Sequence, residues 1–244
     1  MTADNFPLRN IQPYLSAACI NFNYMGTIRR FALDRIARRY KTSIFFETGT
    51  FKGDGVQFAM SAPFRQLISV EIVPELAEEA KRRFCNIQIV SIVNGESAEE
   101  MEKILPHLKG NCLFWLDAHF PGADAGLTQY DDNIDEAVRL PLKMEAGIIH
   151  RFRPRGRDVI IMDDLRIYED GPYQNGNVPK DAMPRSNRNI DFVFENFGST
   201  HDIHRLFQDE GYLLLLPKPK WWNLIDRFKK PDPATFYINE QLGQ

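Results

Sequence analysis

The sequence predicts an α/β fold: a doubly wound, mostly parallel sheet with an antiparallel C-terminal edge and an N-terminal helical extension. Three patterns carry this expectation. From residue 43 short apolar runs alternate with stretches of helical period, the rhythm of parallel strands joined by crossover helices. The runs are nearly continuous in Ile, Val, Phe and Leu, as strands covered on both faces require. Near the C-terminus, GYLLLLPKPKWWNLIDRF sets two apolar runs around Pro217, Lys218, Pro219 and Lys220, which reads as an antiparallel strand pair closing the sheet edge.

The 244 residues fit one large domain, and no repeat or linker divides them. A hydrophobic share of 43% against 26% charged residues rules out wholesale disorder. Lys+Arg 30 against Asp+Glu 33 gives a net charge of -3, without the basic excess that a phosphate backbone selects, so nucleic acid is disfavoured as a partner. Cys19, Cys85 and Cys112 form no C-x-x-C pair, which points away from disulfides and thiolate zinc and toward a reducing compartment. The start MTADNFPLRN lacks a signal pattern, and no apolar stretch approaches the ~18 residues of a membrane span. A cytoplasmic protein is expected.

Within the single domain 1–244, residues 1–42 form an extension, irregular at Pro7 and Pro13 and then helical. Ile28, Phe31, Ala32, Ile36 and Tyr40 recur at helical spacing, with Arg29, Arg30, Arg35, Arg38 and Arg39 as a solvated face. Residues 43–165 form the core, with strands expected at Ser43–Glu47, Gln66–Glu71, Ile87–Asn94, Cys112–Asp117 and Asp158–Asp163. Helices are expected at Pro74–Phe84, Ala98–Leu108, Asp132–His150 and Asp191–Asp209, the last interrupted near Gly198. Pro74–Phe84 opens with proline and acids and ends in Lys81, Arg82 and Arg83, the charge order that suits a helix dipole. Residues 165–189 form a loop too long for a simple connection, a candidate lid carrying Arg166, Tyr168 and Tyr173. Residues 190–244 supply the C-terminal helix and sheet edge.

The first strand runs straight into a glycine-rich turn and a helix: Glu47-Thr48-Gly49-Thr50-Phe51-Lys52-Gly53-Asp54-Gly55. Such a turn lets a ligand approach the backbone, and the helix start offers unpaired N–H groups. The spacing departs from the dinucleotide fingerprint G-x-G-x-x-G. Glu71 ends the second strand, 22 residues after Gly49, where an acid can accept both hydroxyls of a ribose. Glu96 and Ser97 follow the third strand, where an adenine ring would lie, although Ser97 also suits a helix cap.

These segments, ETGTFKGDG, SVE and GESAE, together with FWLDAH and IMDDL, resemble the class I S-adenosylmethionine-dependent methyltransferases, and more narrowly the macrocin O-methyltransferase type, over roughly residues 43–165. The resemblance implies a Rossmann-like sheet and an S-adenosylmethionine site. Glu47 and the turn of Thr48, Gly49, Thr50, Lys52, Gly53, Asp54 and Gly55 would hold the methionine part, Glu71 the ribose, Glu96 and Ser97 the adenine end, with Asp117 bordering the cofactor. Relatives often have Asp where this chain has Glu96.

Asp117, Asp163 and Asp164 end strands four and five, whose carboxyl ends converge on one crevice. Three crowded carboxylates call for a hard cation such as Mg²⁺. Relatives with this pattern are metal-dependent sugar O-methyltransferases. Methyl transfer to an alcohol needs its proton removed, and His119 is the candidate general base, with Asp117 as its competitor.

The expected activity is methyl transfer to a hydroxyl of a sugar or glycosylated small molecule; a phosphate- or nucleotide-linked acceptor would be attracted by Arg151, Arg153, Arg155 and Arg157, which otherwise read as a solvated loop. A homo-oligomer is left open. The competing readings are an N-methyltransferase on nucleic acid or protein, a nonenzymatic nucleoside-binding module, and a nicotinamide dehydrogenase. His107, His150, His201 and His204 are assigned surface or capping roles, and Trp221 and Trp222 packing at the sheet edge.

Overall fold

The computed structural model describes residues 27–119, 138, 140–178, 188–219 and 232–237. Seven strands form one sheet in the order β3-β2-β1-β4-β5-β7-β6. They are β1 (Thr42–Thr48), β2 (Gln66–Glu71), β3 (Val90–Asn94), β4 (Asn111–Leu116), β5 (Val159–Met162), β6 (His201–Leu206) and β7 (Tyr212–Pro217). The first five are parallel, and β7 inserts antiparallel between β5 and β6. The expected doubly wound sheet with an antiparallel C-terminal edge is therefore present.

Period-two alternation sends each strand's side chains to two cores. Ile44, Phe46, Phe114, Leu116, Ile160, Met162, Leu213 and Leu215 face one side, beneath α4 (Ser97–Ile104), α5 (Leu142–Phe152) and α6 (Asp191–Phe197). Phe45, Leu113, Trp115, Val159, Ile161, Tyr212 and Leu214 face the other, beneath α1 (Leu33–Tyr40) and α2 (Asp54–Ala59). The helix α3 (Pro74–Arg83) follows β2 and keeps its proline start and basic end.

Several boundaries differ from expectation for local reasons. The first helix is split: a 3-10 turn, Ile28–Arg30, precedes α1 because Phe31 leaves the helix to pair with Tyr237. The third strand starts at Val90 rather than Ile87. Pro106 converts the end of α4 into a 3-10 turn, and α5 runs from Leu142 after Pro141; of the expected helix before it, 132–137 and 139 lie outside the described residues. The helix expected over Asp191–Asp209 ends at Phe197, and the chain turns at Gly198 into β6. Among the described residues β7 pairs with β5 and β6. The second apolar run, with Trp221 and Trp222, lies outside the described residues, as do 1–26, 120–137 and 179–187.

The two aromatic residues assigned to a lid are core residues. Tyr168 and Tyr173 are both buried, Tyr173 lying against Gly211 so closely that a Cβ there would meet its ring at 2.2 Å. The arginines before β5 also have a different place. Arg153 donates to Asp158 (3.0 and 2.8 Å) and to the carbonyls of Leu108 and Gly110, and Arg151 pairs with Glu102. Asp158 in turn accepts the Cys112 N–H at 2.6 Å, and its carbonyl faces the ring of buried His201. This latch joins the amino ends of β4 and β5 to β6, at the end of the sheet remote from the strand tips, so Arg153 cannot greet an acceptor there.

Removing Asp158 would strand the nearly buried Arg153 guanidinium and the Cys112 N–H. Asp158→Ala is expected to cost about 3 kcal/mol in urea unfolding, whereas truncating exposed Arg155 should leave the midpoint in place.

Candidate active site

In an open α/β sheet ligands bind beyond the carboxyl ends of the strands, where the strand order reverses. Here that point lies between β1 and β4, since β1 leads outward to β2 and β3 while β4 leads the other way. The β1 tip is built for close approach. Gly49 has φ +84°, and a Cβ on it would lie 2.5 Å from the Asp117 carbonyl oxygen, so no other residue fits. Its N–H bonds the Val70 carbonyl, and the Asp117 N–H bonds the Thr48 carbonyl, tying three strand tips together.

Below the turn sits Glu47, buried, accepting from Ser69 Oγ at 2.5 Å, while Ser69 also meets Thr50 Oγ1 at 2.6 Å. A Cβ on Gly55 would collide with Glu47 Oε1 at 1.9 Å, so the glycine admits the carboxyl under the start of α2. Burial pushes the Glu47 carboxyl up to about 8; the Ser69 hydrogen bond opposes this, and the charges of Asp117, Glu71 and Asp54 add to it. Glu71 spans the two turns, accepting from Phe51 N at 2.7 Å and Val73 N at 3.0 Å. Burial raises its carboxyl, against the pull of these N–H groups.

Across the crevice His119 bridges two aspartates, with Nε2 2.6 Å from Asp164 Oδ2 and Nδ1 3.3 Å from Asp117 Oδ1. Burial works against a charged imidazole, but Asp164, Asp117 and Asp163 outweigh it and push His119 up to about 10. Asp163 is held well above the carboxylate range by burial and by its acidic neighbours. Asp164 is buried too, yet the His119 and Arg166 charges bring its carboxyl below the ordinary value. Asp164 adopts a left-handed backbone, φ +51°, which turns the chain after β5.

The structure thus brings together Gly49, Glu71, Asp117, His119, Asp163 and Asp164. Glu47, Thr48 and Thr50 lie beneath the surface of the turn and shape it. Lys52 and Asp54 point elsewhere: the Lys52 amine sits 5.3 Å from the Phe51 ring, and Asp54 pairs with Arg83 at 2.7 Å and Arg29 at 3.7 Å. Gly53, φ +81°, precedes α2. Glu96 precedes α4 at the rim without a side-chain cap, and Ser97 is buried behind it. Among the described residues no three His, Cys, Asp or Glu side chains stand close enough to hold a metal ion together. The expected trio is held open by the imidazole between Asp117 and Asp164. The charges of Asp164, Asp117 and Asp163 favour the protonated form of His119, the residue expected as a base.

Ser69 and Glu145 escaped the sequence, and Arg166, expected on a lid, stands beside two acids instead. Ser69 sits in mid-strand with nothing to mark it. Arg166 stands 3.6 Å from Asp164 and 3.5 Å from Glu210. Glu145 is buried on α5, and its signal was readable: it falls on the apolar stripe of Leu142, Ala146 and Ile149.

No protein-family model matches the chain, and no curated protein matches it. Solved structures do. Two are designated "putative": an O-methyltransferase from Klebsiella pneumoniae, 17% identical, covering 81% of this chain and 83% of its own at a TM-score of 0.50, and a caffeoyl-CoA O-methyltransferase from Staphylococcus aureus, 14% identical, covering 76% and 80% at 0.49. At such identity the first likeness establishes the fold. The chain shares the Rossmann-like α/β fold of that structure.

The Glu47 carboxyl makes stability depend on pH. Between about 4.5 and 8 the folded chain keeps a proton that the unfolded chain has released, so stability falls as pH rises through that window. Glu47→Gln should flatten the fall by up to about 1.4 kcal/mol per pH unit, read as the difference between variant and parent urea midpoints from pH 5 to 8.

Proposed function

We propose that this chain is an S-adenosylmethionine-dependent O-methyltransferase, assisted by Mg²⁺ or another hard divalent cation, that methylates a hydroxyl of a sugar or glycosylated small molecule. The observation that carries the reading is the pairing at one switch point of a side-chain-free turn at Gly49, a ribose-competent acid at Glu71 and three aspartates around His119. When bound, S-adenosylmethionine supplies an electrophilic methyl group on its sulfonium. The chain's own residues seat, orient and deprotonate. The Gly49 to Gly55 turn admits the cofactor against the backbone, and Glu71 keeps lone pairs for ribose hydroxyls beyond the two N–H groups it already accepts.

Asp117, Asp163 and Asp164 are the residues that would hold the cation. As donors they suit it: hard oxygens, with Asp164 Oδ1 buried and lacking a hydrogen-bond partner among the described residues. A cation among them would supply Lewis acidity to the acceptor hydroxyl. His119, within reach of Asp117 and Asp164, would be the group that takes the proton of the acceptor hydroxyl. Arg166, quarter-exposed beside Asp164, borders the acceptor side. The sugar class rests on the resemblance of the FWLDAH and IMDDL segments.

Calorimetric titration of S-adenosylhomocysteine should give micromolar binding, weakened at least about tenfold in Glu71→Ala through loss of charge-assisted hydrogen bonds. Absence of binding by the parent chain would overturn the cofactor reading. Mg²⁺ should produce a binding heat in the parent chain and none in Asp163→Ala, and full methyl transfer after thorough chelation would remove the metal from the proposal.

A further inference from the structure

Where an arginine of this chain faces a buried acid, it normally bonds it. Arg30 grips Asp209 at 2.9 Å and Arg153 grips Asp158 at 2.8 Å, both as hydrogen bonds. Arg166 stands between two acids and reaches neither at such range: its Nε is 3.6 Å from Asp164 Oδ1 and its Nη2 is 3.5 Å from Glu210 Oε1. At these separations the Coulomb attraction remains but the hydrogen bond is lost. Asp164 Oδ1 accordingly has no hydrogen-bond partner among the described residues.

The frame around that guanidinium is fixed. The Arg166 N–H donates to the Glu210 carbonyl at 3.1 Å, and Arg188 donates to the carbonyls of Arg166 and Ile167 at 2.9 and 3.0 Å. Glu210 is buried in the turn before β7, where Asn175 Nδ2 donates to its Oε1 at 2.8 Å. The part left to move is the side chain of Arg166, a quarter exposed. A guanidinium shared between two acids can give up one and keep the other, so its charge stays paired in both positions and no buried charge is stranded.

Resting on the metal reading above, we infer that Arg166 is an internal counter-ion that competes with a divalent cation for Asp164, and that Glu210 receives the guanidinium when it yields, so that the pair sets how tightly the cation is held. Arg166 and Glu210 are positioning residues in this account, and neither is a ligand. A guanidinium bonded to Asp164 as Arg153 is to Asp158 would shut the carboxylate to any other cation, and an uncharged residue at 166 would leave it with no opposing charge on that side. The loose, shared placement of Arg166 lies between these extremes and suits an ion that exchanges with solution.

The test is calorimetric titration of Mg²⁺ alone, at fixed ionic strength, into the parent chain and its variants. Arg166→Gln removes the competing charge and should tighten Mg²⁺ binding at least about tenfold, whereas Arg166→Lys, which keeps the charge, should stay within about threefold of the parent. If the glutamine variant fails to fold, Arg166→Met removes the same charge and serves in its place. Glu210→Gln should weaken binding by about fivefold in the parent chain and have no effect in the Arg166→Gln background, because Glu210 acts through Arg166. Arg155→Gln makes the same change of net charge at an exposed position before β5 and should change nothing. Equal Mg²⁺ affinity in the parent and Arg166→Gln overturns the inference while the metal reading stands, and so does a Glu210→Gln effect that persists undiminished in the double variant. If neither the parent nor Arg166→Gln gives a binding heat with Mg²⁺, both the inference and the metal reading fall.

Discussion

The architecture of the site depends on a backbone contact that excludes a side chain. Gly49 and Asp117 approach so closely that a Cβ would stand 2.5 Å from the Asp117 carbonyl oxygen. That contact draws the tips of β1 and β4 together at the point where the strand order reverses. It also decides what surrounds it: Glu47 is enclosed beneath the turn, Glu71 is stretched between two turns, and Asp117 is directed across the crevice toward His119. A side chain at residue 49 would push β1 from β4 and undo all three.

The second organising force is repulsion. Asp117, Asp163 and Asp164 gather at strand ends, where burial and mutual repulsion raise the Asp163 carboxyl, while His119 and Arg166 hold Asp164 below its ordinary value. Asp164 Oδ1 is buried without a hydrogen-bond partner among the described residues, and the Arg166 guanidinium stands 3.6 Å from it.

Much of this was legible in the sequence because buried parallel strands have no polar interruptions. β1, β2, β4 and β5 could be placed from apolar runs alone, and the acids that end them could be read as tips. β6 could not. As an edge strand it reads HDIHRL, mostly half-exposed, and its polar residues imitate the continuation of the preceding helix. Glu145 was hidden differently: a single acid in a helix ordinarily marks the wet face, and only its place on the apolar stripe betrays burial. Long-range pairings such as Arg153 with Asp158, or Tyr173 with Gly211, leave no periodic signal, so the arginines looked available and the tyrosines looked mobile. The cofactor end was legible because its turn is local in sequence, and the acid cluster's present geometry was not, because it depends on where His119 settles among three separate strand ends.

The pairing of Phe31 with Tyr237 bears on how the chain is made. Phe31 meets Tyr212 and Tyr237 edge-on, with ring centroids 5.2 and 5.6 Å apart, and Ala32 donates its N–H to the Phe236 carbonyl. Each partner is synthesised long after Phe31, roughly 10 to 40 s later at ordinary translation rates. Until then the aromatic cluster around Phe31 stays incomplete on a growing sheet whose strand β1 also awaits β4. The nascent chain must carry this apolar surface until Tyr212 and Tyr237 emerge, so a segment made late clasps one made early.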